Sequence, residues 1–202
     1  MKRICVFCGS SMGSSPIYKE AAKKLATLFV NEDIGLVYGG ANVGLMKILA
    51  DTLLEAGKEV IGVMPHSLIK NEVAHTELEH FIEVETMSER KNKMAELSDA
   101  FIALPGGFGT LDELSEVLTY NQLRICDKPL GFLNTAGYYD KFLDFVDHAV
   151  AAGFVRSEHR KNLIVSDDVA ILIKKLQSYQ PLETEKWIRD IKEESGNKQQ
   201  RI

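Results

Sequence analysis

The sequence predicts an α/β fold in three layers, a parallel sheet with helices on both faces. Two patterns predict it. Short apolar runs alternate with segments of helical period, and strands separated by helices imply parallel crossovers. Three of these runs end in glycine turns: Gly9-Ser10-Ser11, Gly39-Gly40 with Gly44, and Pro105-Gly106-Gly107 with Gly109. Rossmann-like sheets bind ligands beyond the carboxyl ends of their strands. All three turns are therefore expected on one edge, lining one site.

Arg3 to Cys8 reads as the first strand, followed by the Gly9-Ser10-Ser11 turn. Pro16 suits an early helical position, and Leu25, Leu28 and Phe29 repeat at helical spacing, so a helix runs to about Val30. Ile34 to Tyr38 is the second strand. Val43 to Ala56 is the next helix, closed by Gly57, and Glu59 to Val63 the third strand. Met64 to His80 forms an irregular connection. Phe81 to Glu85 reads as a short strand, and Met87 to Leu97 as a helix carrying Arg90 and Lys91. Ala100 to Leu104, with bulky Phe101 and β-branched Ile102, is a buried strand bounded by Pro105. Beyond the glycines, Leu111, Leu114 and Leu118 return at helical period, and Asp127-Lys128-Pro129 ends that helix. Leu130 to Leu133 is a strand, Tyr138 to Ala151 a helix closed by Gly153, and Asn162 to Val165 the last strand. Asp167 to Tyr179 is a helix capped by Ser166, with Lys174-Lys175 near its end. Residues 1–180 read as a single domain. Residues 181–202 read as a polar tail, with Trp187 and Ile191 as anchors of a short helix and fraying from Ser195.

At 202 residues and 45% hydrophobic, the chain suits one domain with a sizeable core. A net charge of −5 argues against a general nucleic-acid binder but leaves room for a local basic pocket. No apolar run reaches the length needed to span a bilayer, and Met1-Lys2-Arg3 leads into a strand rather than a signal peptide. A cytoplasmic protein without a membrane partner is expected. Cys5 and Cys8 have redox-motif spacing, but within a strand a separation of three places them on opposite faces, so they read as buried small apolar residues. His75, Glu77, Glu79 and His80 lack metal-site spacing and read as surface polarity.

The run Ala100 to Leu123 is strand, glycine turn, helix. Backbone N–H groups at a helix start lack intrahelical partners, the macrodipole makes that end positive, and glycines admit an anion close to the backbone. The arrangement suits a phosphate. It is not a Walker loop, since no Gly-Lys-Ser/Thr ends it, nor the dinucleotide fingerprint, since Asp112 stands where a third glycine is needed. Thr110 and Glu113 have capping-box spacing. Two readings of Glu113 stand open: a carboxylate that only caps its helix, or one held a turn from a bound phosphate, where it acts on a sugar.

Pro105-Gly106-Gly107-Phe108-Gly109-Thr110-Leu111-Asp112-Glu113 resembles the PGGxGTxxE signature of the LOG family, the cytokinin riboside 5′-monophosphate phosphoribohydrolases, also labelled "lysine decarboxylase-like". Arg90-Lys91, in MSERKNKM, is similar to the family's Met-x-x-Arg-Lys element, although Ser88 stands where many members carry His. Gly39 to Met46 resembles a third element, and the likeness covers roughly residues 1 to 180. It implies a nucleotide-binding catalytic domain that hydrolyses the N-glycosidic bond of a nucleoside 5′-monophosphate, with Glu113 and Arg90 catalytic. It further implies substrate contacts from Glu72, Lys91, Gly106, Gly107, Phe108, Gly109, Thr110 and Thr119, with Gly9, Ser10, Gly39 and Gly40 completing the site. It implies a homodimer, no metal and no organic cofactor. The decarboxylase label would require pyridoxal phosphate and a Schiff-base lysine, for which scattered lysines are no support. The rival reading is a non-catalytic carrier of a nucleotide-like cofactor, as in molybdenum cofactor carriers, which share glycine turns but need no carboxylate at the sugar.

Overall fold

The computed structural model describes residues 1–69, 74, 75 and 77–181. Among the described residues seven strands form one sheet: β1 (Arg3–Phe7), β2 (Gly35–Tyr38), β3 (Val60–Pro65), β4 (His80–Val84), β5 (Ala100–Ala103), β6 (Leu130–Leu133) and β7 (Ile164–Ser166). Between them run the helices α1 (Pro16–Asn31), α2 (Gly44–Glu55), α3 (His66–Ile69), α4 (Met87–Leu97), α5 (Phe108–Leu123), α6 (Asp140–Ala151), α7 (Ser157–Lys161) and α8 (Val169–Gln177). Every strand pairing is parallel, and the spatial order is β4-β3-β2-β1-β5-β6-β7.

That order has a switch point. The chain lays β1 to β4 outward to one side, then returns to place β5 on the other side of β1, with Ile4 opposite both Leu36 and Ala100. Loops leaving β1 and β5 diverge, so a crevice opens beyond their carboxyl ends. The returning segment includes α4, which packs against β3, β1 and β2.

The inner strands β1, β2, β3, β5 and β6 are buried on both faces, so they read as continuous apolar runs. One face carries α1, α2 and α8 through Leu25, Phe29, Leu49, Leu53 and Leu172. The other carries α4, α5 and α6 through Met94, Leu114, Val117 and Phe142. Cys8 belongs to the first core and Cys5 to the second, as strand alternation requires, and neither is disulfide-bonded.

The three glycine turns meet on one edge. The Gly9 N–H donates to the Pro105 carbonyl at 3.1 Å, and the Leu45 N–H donates to the Gly9 carbonyl at 3.1 Å. The turn after β1 is thereby stapled to the turn after β5 and to the start of α2.

Several boundaries differ from the sequence reading, each for a local reason. The irregular connection after Met64 contains α3, and β3 extends to Pro65 because it pairs in register with β4 as far as Val84. A 3₁₀ turn at Thr135–Gly137, with Ala136 and Gly137 at positive φ, delays α6 to Asp140. The α7 turn has too few residues to show a period. The cap of α8 is Asp168, which accepts from the Ile171 N–H at 2.8 Å, and Ser166 instead accepts from the Asp168 N–H at 3.1 Å. His75 is not surface polarity. It is buried, its Nε2 lies 3.0 Å from Asp51 Oδ1, and its N–H donates to the Gly40 carbonyl. The tail with Trp187 and Ile191 lies outside the described residues.

Gly44 shows how tightly the turns fit. It has φ +56°, and a Cβ there would stand 2.3 Å from the Ser10 carbonyl carbon. Gly44→Ala is expected to combine left-handed strain with that clash, costing about 1–3 kcal/mol or more. A lowered urea midpoint at unchanged m-value measures it.

Candidate active site

The crevice at the switch point holds a cleft of about 280 Å³. Gly9 and Ser10 reach it from the turn after β1, Gly39 from the end of β2, and Gly107 to Thr110 from the start of α5. Val6, Cys8, Met46, Leu68 and Met87 add an apolar wall. These wall residues carry no sequence signal of a site, because methionine and leucine at such spacings also read as core.

The α5 start has no side-chain cap. Gly107 is its N-cap and offers no side chain to the free N–H groups of the first turn. A Cβ at Gly107 or Gly109 would meet nothing within 4 Å, so those glycines are not required by packing and leave space in front of the backbone. The capping box expected at Thr110 and Glu113 does not form. The helix begins at Phe108, which makes Thr110 its third residue rather than its cap. The same Thr-x-x-Glu pattern is realised instead at the start of α4, where Thr86 Oγ1 accepts from the Glu89 N–H at 3.1 Å and Glu89 Oε2 accepts from the Glu85 N–H at 2.9 Å.

Glu113 is freed for another partner. It lies one turn into α5, 8% exposed, and accepts a hydrogen bond from Arg90 Nη1 at 3.1 Å. Arg90, 9% exposed, also donates from Nε to the Val63 carbonyl at 3.0 Å and from Nη2 to the Gly39 carbonyl at 3.3 Å. One side chain from α4 thus ties the ends of β2 and β3 to α5. Gly39 makes this possible: a Cβ there would fall 2.0 Å from Arg90 Nη2.

Burial pushes the Glu113 carboxyl up to about 7, while the Arg90 guanidinium pulls it back toward the ordinary range. The group is therefore balanced between acid and carboxylate near neutral pH.

Of the other sequence-predicted residues, Phe108 lines this cleft, whereas Gly106, Gly40, Lys91 and Thr119 do not. Gly106 lines a neighbouring hollow of about 320 Å³ that shares Gly9, Ser10 and Gly107 with the cleft. Gly40 packs against Gly62 and Phe81. Lys91 forms ion pairs with Asp112, at 3.1 Å, and with Glu116. Thr119 is exposed on α5 and donates to the Ser115 carbonyl at 2.8 Å. Phe108 lines the cleft mouth with its ring almost fully in solvent. Glu72 lies outside the described residues.

A parallel sheet with an uncapped helix start at its switch point, and a buried carboxylate one turn away, defines a Rossmann-like protein. Comparison with known proteins gives the family. Residues 46–176 match the family model described as "Possible lysine decarboxylase". Over 180 residues the chain is 47% identical to cytokinin riboside 5′-monophosphate phosphoribohydrolase LOG1 of Arabidopsis thaliana, covering 89% of this chain and 84% of that protein. It is 46% identical over 180 residues to the phosphoribohydrolase LOG of Oryza sativa subsp. japonica, covering 89% and 74%. The chain belongs to this LOG family. Among solved structures, the molybdenum cofactor carrier protein of Chlamydomonas reinhardtii aligns with a TM-score of 0.65 at 24% identity, covering 88% of this chain and 96% of that one. The molybdenum cofactor binding protein of Rippkaea orientalis aligns with a TM-score of 0.63 at 22% identity, covering 88% and 97%. At that identity the likeness is one of fold.

The raised carboxyl of Glu113 makes stability depend on pH. A carboxyl held higher in the folded state favours folding below its unfolded value of 4.5, and that contribution is lost as pH rises through about 7. At about 1.4 kcal/mol for each pH unit, the loss is roughly 3 kcal/mol. Glu113→Gln has no group to titrate there, so its urea midpoint should gain on wild type across this window. Arg90→Met removes the cation that lowers the carboxyl and should extend the window to higher pH.

Proposed function

We propose that the protein hydrolyses the N-glycosidic bond of a nucleoside 5′-monophosphate, releasing free base and ribose 5-phosphate. One observation carries the reading: a buried carboxylate, Glu113, shares a single cleft with the open N-terminus of its own helix. The relatives named as phosphoribohydrolases support it. The 5′-phosphate serves as a handle on the N–H groups of Gly107 to Thr110, with Gly9 and Ser10 opposite, and fixes the sugar beside Glu113.

Cleavage develops positive charge on the sugar, as in other glycosidic hydrolysis. The Glu113 carboxylate stabilises that charge and takes the proton of the attacking water, a task for which a group balanced near 7 is suited. Among the described residues Arg90 donates to Glu113, Val63 and Gly39, which takes up three of its five N–H donors. The apolar wall of Met46, Leu68 and Met87 supplies a surface for the base, either adenine or an isopentenylated adenine. A carrier that only binds its ligand gives a buried, poised carboxylate no task.

The roles of Glu72, Lys91, Thr119, Gly40 and Gly106 rest on the family resemblance. A cytoplasmic location is in keeping with the free, buried thiols of Cys5 and Cys8. A homodimer is in keeping with exposed Leu123 and Ile125 at the end of α5, whereas Leu118 is turned to the core. Light scattering at micromolar concentration tests the dimer, and a monomer refutes it.

Incubation with AMP or an isopentenylated AMP should release free base, and a side-by-side panel of the two ranks the bases. Adenosine, which offers the helix start no anion, should be a far poorer substrate than AMP. Equal kcat/KM for the two would remove the phosphate from the proposal. Glu113→Gln should lower turnover by about 10²–10⁴ while the protein stays folded, as checked by initial rates beside thermal melting. A near-normal rate in the folded variant would remove Glu113 from the chemistry.

A further inference from the structure

We infer that Tyr138 is a positioning residue for the anion site: its hydroxyl sets the direction of the Gly107 N–H. The inference rests on the phosphate reading above and adds a residue that lies outside the PGGxGTxxE run. Tyr138 follows the 3₁₀ turn Thr135–Gly137, where Ala136 and Gly137 take positive φ. Asn134 fixes the exit of that turn, accepting from the Tyr139 N–H at 2.7 Å and donating to Asp140 Oδ1 at 2.8 Å. The ring of Tyr138 is then braced edge-on by Tyr18 of α1 and by Tyr139. Its hydroxyl donates to the Gly106 carbonyl at 2.5 Å.

The consequence follows from peptide geometry. The Gly106 carbonyl and the Gly107 N–H belong to one trans peptide, so they point in opposite directions. Holding the carbonyl toward Tyr138 turns the N–H to the other side of the turn. Tyr138 and Gly106 line the neighbouring hollow only, while Gly107 lines both that hollow and the cleft that contains Glu113. Glycines on both sides of this peptide place no Cβ that would restrict rotation of its plane. Donation to the carbonyl also polarises the amide and strengthens the N–H as a donor.

Tyr139 provides an internal control. It is 1% exposed, and its hydroxyl donates to the Leu104 carbonyl at 2.6 Å. That carbonyl belongs to the peptide of Pro105, which has no N–H to aim. Two adjacent tyrosines thus bond to the same turn, and only Tyr138 can act on an anion. Tyr138 is 41% exposed, so loss of its hydroxyl should cost little stability.

The test compares Tyr138→Phe, Tyr139→Phe and wild type by titration with inorganic phosphate and ribose 5-phosphate, by KM and kcat for AMP, and by thermal melting. Tyr138→Phe should weaken both anions and raise KM by about tenfold, the scale of one oriented hydrogen bond, with kcat falling less than KM rises. Tyr139→Phe should melt lower and bind the anions as wild type does. Anion affinity unchanged in Tyr138→Phe, or lowered equally in both variants, overturns the role of Tyr138. If wild type binds neither anion, the phosphate reading itself fails and this inference with it.

Discussion

The geometry of the cleft depends on the bonds made by one buried guanidinium. Arg90 comes from α4, on the segment that carries the chain back across the sheet, and it reaches the ends of β2 and β3 and the first turns of α5 at once. Taking a charge out of water is costly unless its donors are satisfied. Here two backbone carbonyls and one carboxylate satisfy it, and the cost of burying Glu113 is offset in part by the same contact. The pair is left short of full compensation, which is why the carboxyl stands near 7 rather than near its ordinary value. An incompletely compensated carboxylate is a weak contribution to stability and a useful proton acceptor.

Close approach of backbones is the second constraint. The turns after β1, β2 and β5 come from strands far apart in sequence, and they can meet only where side chains are absent. The glycines divide by task. Gly44 lets α2 start against Ser10, and Gly39 admits the Arg90 guanidinium, whereas a Cβ at Gly107 or Gly109 would meet nothing and the helix start is left open. A motif that looks uniform as a string is therefore partly architecture and partly binding surface. The same holds for the tyrosines beneath the turn, where one hydroxyl meets a peptide with an N–H and its neighbour meets a peptide without one.

Much of this was legible in the residues. Apolar runs between helical periods determined the parallel sheet, because strands buried on both faces have little room for polar residues. Glycines after those runs determined that their turns meet on the carboxyl edge, because parallel strands bring all such turns to one side. The run from Pro105 to Glu113 placed a carboxylate one turn into a helix that starts at a glycine turn. What the sequence could not decide was which of its Thr-x-x-Glu patterns caps a helix. Thr86–Glu89 does and Thr110–Glu113 does not, because the start of α5 is set by where β5 delivers the chain.

Tertiary structure alone decided the rest. That Arg90 points inward and Lys91 pairs outward with Asp112 and Glu116 follows from how α4 lies across β3, β2 and β1, which no local period encodes. That His75 is buried against Asp51, and that Tyr138 holds the Gly106 carbonyl from 32 residues away, follows from contacts between segments distant in sequence. Sequence determines which groups are available and the local geometry each can adopt. Burial and through-space partners belong to the assembled sheet, and it is they that move the Glu113 carboxyl toward neutrality and turn a helix start into a site.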